Sequence, residues 1–519
     1  DVGSDGNNVT FLANGITELN MVSYGTKSFV NLGNSVNDIA SLVVTGTGAV
    51  DISNVPDGIS GFDASGLGGD LKLTLNVDEE TALVGSTNTI SGGAGHDALE
   101  LNGSAIFAAT GTSIEELIFD GSTSEAIVRA TGMAGLNTLT FSGQGTNAPS
   151  ISGIGDQALT VNAILDSTAD QQQNISGSGA VTVNLNGNPT QVALGNVSDN
   201  DFDFKATTTA GVDINIGPLT SASGTYTINN STGAVGITVD ATSVFGGHLQ
   251  ASGAETISIL GSGVLGGGAT VSGQNTTSIT VNASSGTLAL GSSAADTLTF
   301  NSDSNLTVTG RASNTQTLTV NVGKNTADLS DSNLTFVNMQ TVSLSGAGTG
   351  ATVLVNGFSG SANNMVLTMS GLEGGVSAAS VVANSGSVTI SAEAMTGKLN
   401  TTVLQVTGAG NLTVSTGTSG QFSANTVDST GTFTLDQSMG SCSSGSAVPS
   451  LEVTNTGNST GYFDVQYKLT LNGSDISDWN TLRNGLAISS GSSSTSTLSA
   501  QPNGYQVSWR VRSGTTNPS

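Results

Sequence analysis

Apolar residues alternate with Ser and Thr in short runs that return along the chain about every 19 to 24 residues. The runs include Thr256-Ile257-Ser258-Ile259, Ser278-Ile279-Thr280-Val281, Thr297-Leu298-Thr299-Phe300, Thr317-Leu318-Thr319-Val320, Thr341-Val342-Ser343-Leu344, Met365-Val366-Leu367-Thr368-Met369 and Ser387-Val388-Thr389-Ile390. Apolar positions two apart fall on one face of a strand, while Thr and Ser fill the other and favour extended backbone. One such strand cannot bury its apolar face alone, whereas a pile of them shares a continuous core. The pattern predicts an all-β chain whose main part is an elongated β-solenoid, similar to a parallel β-helix. Its spacing is regular over 251–440 and looser over 1–250, where a less regular solenoid or β-rich region is expected.

The pattern changes near residue 440. Trp479, Trp509, Tyr462, Tyr467 and Tyr505 all lie beyond it, as do Lys468, Arg483, Arg510 and Arg512. Large aromatics supply the core of a small compact domain. The Gly/Ser segment 440–446 reads as a flexible joint, and the alternating runs after it predict an immunoglobulin-like β-sandwich over 447–519. Little helix is expected; short helices are conceivable only around 78–84 or 158–172.

Composition narrows the function classes. Only 9% of residues are charged, and 11 Lys and Arg face 38 Asp and Glu, for a formal net charge of −27. That charge repels nucleic acid and anionic membrane surfaces, so neither is an expected partner. It also attracts divalent cations, which suits a calcium-rich exterior, so the expected location is extracellular, at a cell surface. No apolar run reaches the roughly 18 residues that cross a bilayer, and the start at Asp1 without a leader is read as a processed product. Cys442 is the single cysteine, so no intrachain disulfide forms.

Three groups of acids are candidate metal ligands, with Ca2+ as the expected ion. In Gly92-Gly93-Ala94-Gly95-His96-Asp97-Ala98-Leu99-Glu100 the glycines let backbone carbonyls turn inward and Asp97 supplies carboxylate oxygen. The alternative is a Gly-rich turn with a solvated Asp. A degenerate echo stands at Gly291-Ser292-Ser293-Ala294-Ala295-Asp296-Thr297-Leu298. Asp199, Asp201 and Asp203 lie on one side of an extended run, close enough to share a hard cation or else stand as solvated acids. Asp63 and Asp240 occupy two similar segments, Phe62-Asp63-Ala64-Ser65 before Gly68-Gly69 and Val239-Asp240-Ala241-Thr242 before Gly246-Gly247. These read as a duplicated unit in which each Asp either joins a metal site or closes an Asx turn. Asp78-Glu79-Glu80 reads as a solvated bend or a helix start.

No catalytic arrangement is expected. His96 and His248 are the two histidines, neither in a metalloprotease spacing, and Thr396-Gly397-Lys398 lacks the upstream glycine of a phosphate-binding loop. Solenoid carbohydrate enzymes use Arg, Lys and aromatic platforms that are scarce here.

The nonapeptide, the Asp-Ala-Ser/Thr units with their Gly pairs, and segments such as Ala254-Glu255-Thr256-Ile257-Ser258-Ile259 together resemble the RTX-type surface-layer proteins and related large secreted proteins of Gram-negative bacteria. The resemblance implies a calcium-dependent β-solenoid that assembles with copies of itself on the cell surface. Two departures stand against it: tandem nonapeptides are missing, and a sandwich-like module ends the chain. The leading expectation is a non-enzymatic structural protein that polymerises into a layer, sheath or filament. The alternatives are a calcium-dependent adhesin that binds cells or a cell-surface glycan, and a solenoid polysaccharide-degrading enzyme.

Overall fold

A computed structural model describes the strands and adjoining turns between residues 9 and 514, outside segments of which the longest are 77–88, 120–126, 142–149, 188–197, 310–316, 323–333 and 439–445. The described residues form strands and turns with no helix. Residues 158–172 contribute strands Leu159–Leu165 and Gln171–Ser176, because Leu159, Val161 and Ala163 alternate inward in a period of two. The other candidate helix, 78–84, and the acids Asp78-Glu79-Glu80 lie outside the described residues. Two compact units divide the chain, Asp1–Thr276 and Thr277–Ser519.

The first unit is a stack of parallel coils. Its main sheet begins Val9–Thr10, Lys27–Asn31, Ala49–Ser53 and Leu71–Asn76, and continues one strand per coil to Val235–Val239 and Thr256–Gly261. Successive strands pair parallel and in register, with partners mostly about 22 residues apart. A second face is formed first by Glu18–Ser23 through Thr110–Thr112, then by Ile106–Phe107 through Thr270–Ser272. Regular stacking thus extends through the region where the sequence pattern is looser. Inserted residues fall between strands except in Gly61–Leu67, which carries one extra residue as a bulge after Asp63, where its register shifts against Ser41–Gly46.

Register aligns like with like in the core. Ile52, Leu73, Leu99, Leu117, Leu139, Val161, Val183, Ile214, Ile237 and Ile259 are consecutive partners down the main sheet. Each of them is 0% exposed. A one-residue slip of any coil would turn its whole apolar set to solvent, so this ladder fixes the register. Burying each of these side chains is worth about 1.5–3 kcal/mol. Phe119 and Phe141 stack on adjacent coils with centroids 4.9 Å apart.

The second unit repeats this plan and then changes it. Ser278–Val281, Thr297–Phe300, Thr317–Val322, Thr341–Gly346, Met365–Ser370, Val388–Ala394, Leu412–Thr416 and Phe433–Ser438 form one parallel sheet. Leu306–Thr309 through Phe422–Ser429 form the other. The strand Phe433–Ser438 then pairs antiparallel with Tyr505–Gly514, which pairs with Gly461–Leu471 and, through it, Asn480–Ile488. With Ser450–Thr454 and Ser493–Thr497 as a separate antiparallel pair, these strands make the small C-terminal β-sandwich. The core row Val342, Leu367, Ile390, Val414, Leu435 ends opposite Trp509, which is 0% exposed. The sandwich therefore closes the last coil, covering a sheet edge that would otherwise present unpaired backbone groups. Cys442 and most of the Gly/Ser joint lie outside the described residues.

Candidate functional site

The nonapeptide at 92–100 forms a corner of one coil, stacked between Gly69-Asp70 of the preceding coil and Ser113-Glu115 of the next. Asp97 is 0% exposed. Its Oδ1 accepts the Leu71 N–H at 2.9 Å and its Oδ2 accepts the Gly93 N–H at 2.5 Å. Its own N–H donates to Glu115 Oε2 at 2.9 Å, and the His96 N–H donates to Asp70 Oδ1 at 2.9 Å. Three acids thus bind main-chain donors across neighbouring coils, at the bends where the ladder of backbone hydrogen bonds is interrupted. Burial pushes the Asp97 carboxyl above its ordinary range, with Glu115 and Asp70 adding to the rise, and the Leu71 and Gly93 N–H groups oppose it.

The glycines make this packing possible. A Cβ on Gly92 would lie 1.8 Å from Ser113 O, and one on Gly95 would lie 2.6 Å from Asp70 N. The glycines therefore admit the adjacent coils, whereas the sequence pattern points to glycines that turn carbonyls toward a metal. A calcium ion takes roughly six to eight oxygen ligands, and both Asp97 oxygens already hold N–H groups. Among the described residues no group of three or more His, Cys, Asp or Glu stands in a metal-holding arrangement. In this arrangement the Asp97 carboxylate caps main-chain N–H groups of its own and the preceding coil.

The other predicted acids are dispersed. Asp63 Oδ1 accepts the Ser65 N–H at 2.9 Å, and Asp240 Oδ1 accepts the Thr242 N–H at 2.9 Å and hydroxyl at 2.7 Å. Both are Asx turns, the second of the two roles the sequence allows; the Ser65 hydroxyl and then its N–H hold the Asp63 carboxyl below its ordinary range, and the Thr242 N–H and then its hydroxyl hold that of Asp240. The two similar segments share this turn but occupy different corners. Asp63 lies in a second-face strand, Gly61–Leu67, whereas Asp240 follows the main-sheet strand Val235–Val239. Asp203 Oδ1 accepts the Thr225 N–H of the next coil at 2.6 Å. Asp199 and Asp201 share its strand, Ser198–Thr207, but their side chains lie outside the described residues, as do residues 291–296 of the echo, Asp296 among them. His96 approaches Glu116 Oε2 at 3.9 Å, and His248 Nδ1 lies 2.6 Å from Thr270 Oγ1 on the next coil.

Sequence reasoning missed a polar row on the outer face of the first unit. Thr140, Asn162, Asn184, Asn215 and Thr238 are consecutive partners. Asn184 Nδ2 donates to Asn162 Oδ1 and Asn215 Nδ2 to Asn184 Oδ1, each at 2.9 Å. The available signal is an Asn flanked by apolar residues at the same place in three coils: Val161-Asn162-Ala163, Val183-Asn184-Leu185 and Ile214-Asn215-Ile216.

Among known proteins, part of the chain is similar to Outer membrane protein B of Rickettsia rickettsii, 28% identical over 262 residues. The match covers 46% of this chain and 15% of that protein, so the chain spans a small part of its relative's length. No protein-family model and no solved structure matches the chain.

Proposed function

We propose that the chain is a non-enzymatic extracellular scaffold that assembles with copies of itself on a cell surface. The observation that carries this reading is the unbroken aliphatic ladder from Ile52 to Ile259, 0% exposed at every position. Coils locked by such a ladder and stitched at their corners by acids give a rigid body with repeating outer faces, which is what a surface layer or filament requires of its subunit. The relative named as an outer membrane protein supports a surface location. The net charge of −27 opposes close association of copies, so assembly is expected where divalent ions or salt screen that charge. Calcium enters as this screening ion, while the bonding of Asp97 favours a role apart from ligation there.

Electron microscopy of the purified protein tests the reading, in 10 mM calcium, in EGTA with 0.15 M NaCl, and in EGTA without salt. Ordered sheets or filaments in calcium support it, and their loss only when both calcium and salt are withdrawn supports calcium as a screen. Dispersed particles under all three conditions, with binding to whole cells, overturn it in favour of an adhesin. Cleavage of an acidic or neutral polysaccharide overturns its non-enzymatic part.

A further inference from the structure

Beside the amide row the outer face of the first unit opens into a cleft of about 340 Å3, lined by Asn162, Asn184, Asn186, Asn215, Thr238 and Asp240. We propose that this cleft binds an uncharged saccharide, a function separate from assembly.

The lining defines the ligand. Each carboxamide carries two N–H donors, and the ladder uses one from Asn184 and one from Asn215. Asp240 Oδ1 takes both Thr242 bonds, and a carboxylate accepts up to roughly four hydrogen bonds in all, so acceptor capacity remains. Amide donors beside a carboxylate acceptor match a pair of neighbouring sugar hydroxyls, each of which donates and accepts. Among the described residues no cationic side chain lines the cleft, and Asp240 with the net charge of −27 repels carboxylate, sulfate or phosphate groups. The volume lies within the roughly 300–1,000 Å3 of small-molecule sites, which accommodates a short stretch of a glycan.

The backbone keeps the space open. Gly217 lines the cleft after Ile216, and a Cβ there would lie 2.5 Å from Asn186 Oδ1. Gly217 N–H donates to Leu185 O at 2.8 Å, holding this bend against the coil below. The Asn ladder fixes three lining side chains before any ligand arrives, which lowers the ordering cost of binding.

Isothermal titration of the full chain tests the proposal with neutral tetrasaccharides of β-1,4-glucose, β-1,4-N-acetylglucosamine, β-1,4-mannose and α-1,4-glucose, and with an acidic oligogalacturonide. At least one neutral tetrasaccharide is expected to bind, and the oligogalacturonide to bind weakly or not at all. Asn186→Ala and Asp240→Asn lie outside the ladder, and an Asn at 240 still caps the turn. Each is expected to weaken binding about tenfold with the melting temperature unchanged. Gly217→Val is expected to abolish it by filling the cleft. Absence of binding to all four neutral sugars overturns the proposal, as does wild-type affinity in a folded Gly217→Val variant or preference for the acidic oligomer. Microscopy and titration of the wild-type chain separate the two functions. Assembly without saccharide binding refutes the cleft alone, and binding without assembly refutes the scaffold alone.

Discussion

Replacing Asp97 distinguishes a carboxylate that caps the main chain from one that holds a cation. In the structure each oxygen accepts one N–H, the buried one of Leu71 at 2.9 Å and the part-buried one of Gly93 at 2.5 Å. A hydrogen bond to a charged group is worth about 1.5–3 kcal/mol, and a buried donor left without a partner costs about 1–3 kcal/mol. Asp97→Ala removes both acceptors and is expected to destabilise the corner by about 3–5 kcal/mol. Asp97→Asn keeps one acceptor and turns an NH2 toward the other N–H, so it is expected to lose about 2 kcal/mol despite its matching shape. Because each coil contacts only its neighbours, the loss is local. Native-state hydrogen exchange at the Leu71 and Gly93 amides is therefore the assay, and about 2 kcal/mol corresponds to roughly thirtyfold faster exchange. Wild-type exchange at both amides in Asp97→Asn refutes the capping account. So does wild-type exchange that slows only when calcium is added.

Further expectations follow from the same geometry. Gly92→Ala sets a Cβ 1.8 Å from Ser113 O, and is expected to lower the unfolding midpoint in urea, whereas Gly61→Ala, which meets nothing within 4 Å, leaves it unchanged. Ile237→Ala, in the buried ladder, is expected to cost about 2–5 kcal/mol by denaturant titration. Acid reverses sign between sites. The Asp97 carboxyl lies above 3.8 when folded, so its stabilising contribution is complete below 3.8 and lost as pH rises through the folded value; the advantage of wild type over Asp97→Asn should be larger at pH 3 than at pH 7. The Asp63 carboxyl lies below 3.8, so its contribution holds above 3.8 and is lost as pH falls through the folded value; the advantage over Asp63→Ala should shrink on the same acidification, by an amount small for an exposed turn. Deleting 447–519 uncovers the edge of Phe433–Ser438, now paired with Tyr505–Gly514, and is expected to produce end-to-end aggregates in light scattering.

The solenoid was legible because its cause is periodic. Alternation in Thr341-Val342-Ser343-Leu344 and Met365-Val366-Leu367-Thr368-Met369 is the burial pattern itself, and the structure pairs these two runs in parallel. The antiparallel sandwich was legible from its Trp and Tyr residues. The placement of Trp509 against Leu435 was not, because a strand sequence carries no mark of the edge it will join. Corners were the least legible part. A Gly-rich turn with one Asp reads alike whether its carboxylate faces an ion or an N–H from the adjacent coil. That choice depends on a residue some twenty-six positions away, as with Leu71 and Asp97.

The corner acids also bear on how so acidic a chain holds together. A parallel coil must turn between its faces, and each turn leaves main-chain N–H groups outside the strand ladder. Asp70, Asp97, Glu115 and Asp203 each accept such a group from a neighbouring coil, and Asp63 and Asp240 each accept one within their own turn. A basic side chain cannot substitute, since Lys and Arg carry donors and no acceptor. Part of the excess of acids over bases therefore follows from the fold, as the acceptors its bends demand. The repulsion this creates is distributed along the coils, where the aliphatic ladder outweighs it. In the assembly proposed above the same repulsion would act between copies, where salt or divalent ions would screen it.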